Sequence, residues 1–144
     1  MSLAPIILTP QEYRQIEEEG SKAYPNECCG ILFGRDFAGK RLVDRLIPVP
    51  NDFETGEQYH RFSISPKLLM QAEQSALENG DLVLGFYHSH PDHPARPSEY
   101  DRQHAWPFYS YVIVSIAKGS PVDMTCWLLD DETNTFKRQD IHET

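Results

Sequence analysis

The chain has 144 residues, 40% hydrophobic and 24% charged, enough for one domain with a substantial buried core. Its net charge of -9 and pI near 5.0 carry the wrong sign for gripping a phosphate backbone, which excludes a nucleic-acid binder. No apolar run reaches membrane-spanning length, and Ile6-Ile7-Leu8, with no basic residue before it, is too short for a secretory signal.

Residues 5–8 read as a short strand. Thr9-Pro10-Gln11-Glu12 then opens a helix, with Thr9 as N-cap, Pro10 in the first helical position and Glu12 closing a capping box. Tyr13, Ile16, Gly20 and Ala23 recur on one face, Arg14, Gln15, Glu17 and Glu18 face away, and Pro25 stops the helix. Residues 28–34 and 42–49 are expected to be strands of a hairpin, the first apolar throughout and therefore central. The polar stretch 51–60 is a loop. Ser65-Pro66 opens a second helix with Leu68, Leu69, Ala72 and Ala76 inward, Lys67, Gln71, Gln74 and Glu78 outward, and Gly80 at its end. Residues 82–88 form a buried strand in which Gly85 marks a close backbone approach. A short helix over 98–106 follows, then strands at 109–116 and 124–129, a turn at 130–134 and a polar edge strand at 135–141. The order βαββαβαβββ predicts an α/β domain with a mixed sheet and helices packed on it.

The chemistry is concentrated in His88-Ser89-His90-Pro91-Asp92-His93-Pro94-Ala95-Arg96-Pro97-Ser98-Glu99-Tyr100-Asp101. Residues two apart in a strand share a face, so His88 and His90 project together from the strand's end, on the side expected to carry Leu82, Leu84 and Phe86. A proline-punctuated turn returns Asp101 to them, and Ser98 and Asp101, three apart, share a face of the next helix. Two imidazoles and a carboxylate suit zinc, and three protein ligands leave a fourth position open, as catalytic sites require. Ser98-Glu99-Tyr100-Asp101 is also by itself a capping box, so Ser98 has a structural reading beside the chemical one. His88 to His93 also fits the H-x-H-x-D-H signature of metallo-β-lactamase-like hydrolases. That architecture needs further His and Asp ligands and a second half downstream, for which the remaining chain, with only His104 and His142 as histidines, is too short, so Asp92 and His93 are read as loop residues at the mouth of the site.

With Pro25-Asn26-Glu27-Cys28-Cys29-Gly30-Ile31-Leu32-Phe33-Gly34 upstream, the segment resembles the JAMM (MPN-plus) metalloprotease family. Its motif is a distant Glu followed by H-x-H-x(7)-S-x(2)-D. Asn51, Arg61-Phe62 and the strand from Tyr109 to Ser115 extend the similarity through most of the chain. Within the family, His88-Ser89-His90-Pro91, Arg96-Pro97-Ser98 and Tyr109-Ser110-Tyr111 are most similar to free-standing bacterial members that act on ubiquitin-like sulfur-carrier proteins.

The resemblance implies a cytidine-deaminase-like JAMM/MPN fold over residues 1–144 and one Zn²⁺ held by His88, His90 and Asp101. It implies Glu27 as the general base and Ser98 as the oxyanion donor. The implied substrate is the Gly-Gly tail of a β-grasp carrier joined to a cysteine, another amino acid or a protein. Two alternatives belong to the same family: a peptidase acting on short crosslinks, and a binding module that merely retains a metal. Three cysteines without a disulfide framework place the chain in the cytoplasm, and Cys28 and Cys29 read as small buried residues. Arg96 reads equally as a steering cation and as a solvated loop residue, and the sequence leaves a homodimer open.

Overall fold

The computed structural model describes residues 3–51 and 65–144. The expected loop beyond Asn51 and the Arg61-Phe62 pair lie outside the described residues. Strand β1 (Ile6–Leu8) leads into helix α1 (Pro10–Ala23), and β2 (Cys29–Phe37) and β3 (Lys40–Val49) form a hairpin. Helix α2 (Pro66–Asn79), β4 (Leu82–Pro91) and the one-and-a-half-turn α3 (Glu99–His104) follow. The chain continues through β5 (Ser110–Ala117), β6 (Ser120–Asp130), β7 (Thr135–Gln139) and β8 (Ile141–Glu143).

The helix starts are those the caps dictate. Thr9 accepts from the Glu12 amide while the Glu12 carboxylate accepts from the Thr9 amide, Ser65 caps α2, and Gly80 closes it in the left-handed conformation. Both hairpins run longer than expected because two-residue turns join them. Ala38-Gly39 and Lys118-Gly119 all have positive φ, the mirror-image turn whose twist matches antiparallel strands.

The eight strands lie in the order β7-β6-β5-β4-β2-β3-β1-β8, parallel at β4–β5, β1–β3 and β1–β8 and antiparallel elsewhere. The expected single strand over 135–141 is in fact two. Only Asp140 separates β7 at one end of this order from β8 at the other, so the sheet curls until its edges nearly meet. The Asp140 carbonyl accepts from the Ile6 amide beside β8, and the Gln139 side chain of β7 donates to the Ala4 carbonyl ahead of β1. Ile16 of α1 packs with Leu32, Leu84, Tyr87, Val112 and Val114 on one side, and Ala72 and Ala76 of α2 pack with Ile31, Val83 and Phe86 on the other.

One register feature decides where β4 points its side chains. Leu32 pairs with Gly85 but Phe33 pairs with Val83, leaving Leu84 as the extra residue of a bulge. Leu84 therefore turns to the α1 side, whereas Val83 and Phe86 share the α2 side, and Leu82 is exposed. The expected common face for Leu82, Leu84 and Phe86 fails at this bulge, and only the alternation from Phe86 through His88 to His90 survives. The Arg41 guanidinium donates to the Leu84 carbonyl at 3.4 Å and to Ser110 Oγ at 2.8 Å, supplying partners where the ladder is interrupted. At Gly85 a Cβ would lie 1.8 Å from the Ser110 carbonyl oxygen, so the close approach is real. No helix among the described residues is long and apolar enough to cross a membrane.

Candidate metal centre

His88 and His90 stand at the carboxyl end of β4, where it runs beside parallel β5. His88 Nε2 lies 3.1 Å from His90 Nε2, and the Asp101 Oδ2 atom lies 3.4 Å from the first and 3.2 Å from the second. The three atoms form a nearly equilateral triangle. Ligands about 2.0–2.1 Å from a tetrahedral ion lie about 3.3–3.4 Å apart, so the triangle has the edge lengths of one face of such a site.

The hydrogen bonds behind the triangle point the same way. His90 Nδ1 faces the Pro94 carbonyl at 2.9 Å, which makes Nδ1 the donor and leaves Nε2 with its lone pair toward the site. That lone pair confronts a carboxylate oxygen, an arrangement that is repulsive unless a proton or a metal cation lies between them. Burial works against charge on His90, yet Asp101 raises its pKa above the ordinary value. Burial lowers that of fully enclosed His88, which stays neutral. Asp101, despite its own burial, is held far below the usual carboxylate range by the two histidines. A neutral imidazole, an imidazole whose proton an ion would replace and an ionised carboxylate suit a divalent cation.

Glu27 reaches the site through strand register. Cys29 pairs with His88 in the antiparallel β2–β4 ladder, and the Ser89 amide donates to the Cys28 carbonyl, so Glu27 falls opposite His90 on the same face. Ser89, pointing the other way, accepts from the Cys28 amide at 2.8 Å and pins the segment. Glu27 is 5% exposed, and ligand atoms of Glu27, His88 and His90 all lie within 4.8 Å of one another. Two carboxylates thus reach the histidine pair, Asp101 through Oδ2 at 3.4 and 3.2 Å and Glu27 within 4.8 Å. Burial pushes the Glu27 carboxyl up to about 8 from an ordinary 4.5, and a cation in the triangle would draw it down again.

Ser98 caps α3 as the sequence pattern requires. Its Oγ accepts from the Asp101 amide at 3.0 Å, and its own amide donates to Asp101 Oδ2 at 2.8 Å. The cap leaves the hydroxyl proton free to be donated elsewhere, because a serine oxygen accepts and donates at once. Helix α3 ends at His104, two residues short of the expected Trp106, and the Trp106 amide donates to the Tyr111 hydroxyl at 2.9 Å.

The turn between His90 and Asp101 is fastened at several points. Asp92, left-handed with φ of 58°, accepts from the Tyr24 hydroxyl at 2.6 Å and the Lys118 amide at 2.8 Å, while its amide donates to the Ile116 carbonyl. Ser115 donates to the His93 carbonyl and Thr125 to the Ala95 carbonyl. Asp92 is thus an anchor of the turn. Cys28 is half-buried and Cys29 buried, and burial lifts the Cys28 thiol to about 11, which removes it as a thiolate nucleophile.

The family model for prokaryotic homologs of the JAB domain, Prok-JAB, matches residues 9–130. The chain belongs to this family. A solution structure of a Desulfitobacterium hafniense protein, 32% identical, has a TM-score of 0.81 to this Prok-JAB chain and covers 96% of it and 92% of its own length. The desampylase of Haloferax volcanii is 37% identical over 92 residues, 63% of this chain and 63% of that protein. The probable TtuB-protein conjugate cleaving protease of Thermus thermophilus is 36% identical over 89 residues, 62% of this chain and 55% of that protein. The chain thus spans less than two thirds of either of these two relatives.

An aromatic cavity beyond the sequence motif opens beside His88 and Asp101, lined also by Phe86, Trp106, Tyr111 and Phe136. Phe86 and Trp106 are the signal that could have found it. An aromatic residue two before His88, with another just past the helix that carries Asp101, places rings on the site's own face. The Pro94 carbonyl lies equally beyond the motif, because a backbone acceptor leaves no trace in side-chain identity.

Proposed function

We propose that the chain is a zinc-dependent hydrolase that releases an amino acid, cysteine among the candidates, or a peptide from the C-terminal Gly-Gly tail of a ubiquitin-like sulfur-carrier protein. The observation that carries this reading is the convergence of Glu27, His88, His90 and Asp101 in one buried cluster. Its support from relatives is that two of them are named a desampylase and a conjugate cleaving protease. A Zn²⁺ held by His88, His90 and Asp101 would supply Lewis acidity, polarising a carbonyl and making water a nucleophile near neutral pH.

The remaining work falls to the chain. Glu27 takes a proton from the attacking water as its oxygen bonds to the scissile carbon, and passes that proton to the leaving nitrogen as the C–N bond breaks. The products are a Gly carboxylate and a free amine. Ser98 donates its hydroxyl to the carbonyl oxygen as negative charge gathers there. The Pro94 carbonyl keeps His90 in one tautomer, and Ser89 keeps Glu27 opposite it. The tail has a strand to join. Among the described residues β1 covers only Arg41 and Leu42 of β3, leaving its outer edge open from Asp44 toward Val49, the residue paired with Cys29.

The test is mass spectrometry of a folded carrier ending in Gly-Gly-Cys, incubated with the zinc-reconstituted chain. Release of cysteine is expected, stopped by phenanthroline and restored by zinc. Hydrolysis that persists undiminished in metal-free protein would rule this mechanism out.

A further inference from the structure

We infer that the aromatic cavity beside the metal triangle receives a large apolar side chain, of Leu, Met or Phe size, carried by the residue released from the carrier tail. This rests on the hydrolase reading above and names its substrate more closely.

The cavity encloses about 260 Å³ and shares His88 and Asp101 with the triangle, so whatever fills it lies next to the reacting carbonyl. Its other walls include the rings of Phe86, Trp106, Tyr111 and Phe136, with Tyr100 and His104 as further polar lining. Phe86 is at the floor, 2% exposed, with the Tyr111 ring 5.8 Å and the Trp106 ring 6.5 Å away. The rings gain from burying hydrocarbon, and the charge-capable lining is already engaged, Asp101 by both histidines and the Ser98 amide and His104 Nδ1 by the Tyr100 carbonyl.

Size narrows the occupant further. A cavity of roughly 150 Å³ accepts benzene, so this one has room for a whole aromatic or branched aliphatic side chain. A cysteine would leave most of it empty, and the thin stem of an ε-linked lysine would fill it poorly. The acyl side has nothing to contribute, because a tail ending in glycine has no side chain there. The released residue is the group nearest the scissile bond that can bring a side chain to this position.

The experiment measures binding apart from turnover. Gly-Gly-Phe, Gly-Gly-Leu, Gly-Gly-Cys, Gly-Gly-Ala and a Gly-Gly dipeptide linked to lysine Nε are titrated calorimetrically into zinc-loaded Glu27→Gln protein. The Phe and Leu peptides are expected to bind about ten- to fiftyfold more tightly than the Ala peptide. Trp106→Ala in the same background should cut that preference to about threefold or less with zinc retained. Phe136→Ala, on a different element, should do likewise if the Trp106 variant fails to fold.

Equal affinity across the series, or tightest binding of the Cys or lysine-linked peptide, would overturn the inference. Wild-type protein acting on carriers that bear each residue separates the two readings. Graded binding with no hydrolysis of any carrier would retire the hydrolase and keep the cavity's preference. Hydrolysis at one rate for every residue would do the reverse.

Discussion

Glu27 is the residue on which the proposed chemistry turns, and its environment makes opposite demands with and without a cation. In the metal-free chain its folded pKa, about 8, lies above the ordinary 4.5, so folding favours the protonated form. That contribution to stability is complete below pH 4.5 and drains away as pH rises toward 8. Metal-free wild type should therefore lose melting temperature between pH 5 and 8 relative to Glu27→Gln, and thermal scans across that range check it. With zinc bound, the same substitution should keep metal and fold but lose hydrolysis by about 10²-fold or more, since an amide accepts no proton.

The proposed ligand histidines separate from their neighbour by the same residue-level logic. His88→Ala removes one corner of the triangle and should abolish stoichiometric zinc binding, whereas His93→Ala should leave zinc content unchanged in elemental analysis. The opposite ranking would restore the metallo-β-lactamase pattern. Ser98→Ala should cost about 1 kcal/mol through the lost cap and, as an oxyanion donor, about 10²–10³ in kcat. Stability and kcat measured on one preparation separate the two roles, because a purely capping serine would spare the rate.

At the scale of elements, the site depends on a turn and a strand that are held from outside it. Thr125, 3% exposed, donates to the Ala95 carbonyl and accepts from the Trp127 indole at 2.7 Å. Thr125→Val leaves both groups unpaired and should cost about 1–3 kcal/mol in denaturant unfolding. It should also weaken zinc affinity, since the same turn presents the Pro94 carbonyl to His90. Gly85→Ala should cost about 3 kcal/mol or more, because its methyl would collide with the Ser110 backbone and strand β4 would have to shift.

Legibility in the sequence follows from how local each signal is. Thr9, Ser65 and Ser98 announce their helices because a cap is written within four residues. The bulge at Leu84 is written nowhere near Leu84, since it arises from pairing with Leu32 and Phe33 and is completed by Arg41. The spacing of His88, His90 and Asp101 could be read directly. Glu27 could be picked out only by resemblance, because its place opposite His90 depends on strand register. The turns at Ala38-Gly39 and Lys118-Gly119 are not legible in the sequence, because Ala and Lys rarely signal positive φ.

For the whole molecule, the curled sheet gathers the ends of β2 and β4 and the start of α3 at one place, beside the open edge of β3. That arrangement suits a folded carrier that lays its tail along a strand. Net charge of -9 adds a kinetic expectation. An acidic carrier should associate faster at moderate salt than at low salt, as repulsion is screened over about 10 Å at 0.1 M. Stopped-flow association across a salt series tests this. The most direct test of the central claim is the mass of a carrier conjugate's C-terminus after incubation with the zinc-loaded chain in ¹⁸O-water. The account predicts a free Gly-Gly carboxylate carrying one labelled oxygen, with casein left intact. Digestion of casein with every carrier conjugate untouched would contradict it and leave a general peptidase in its place.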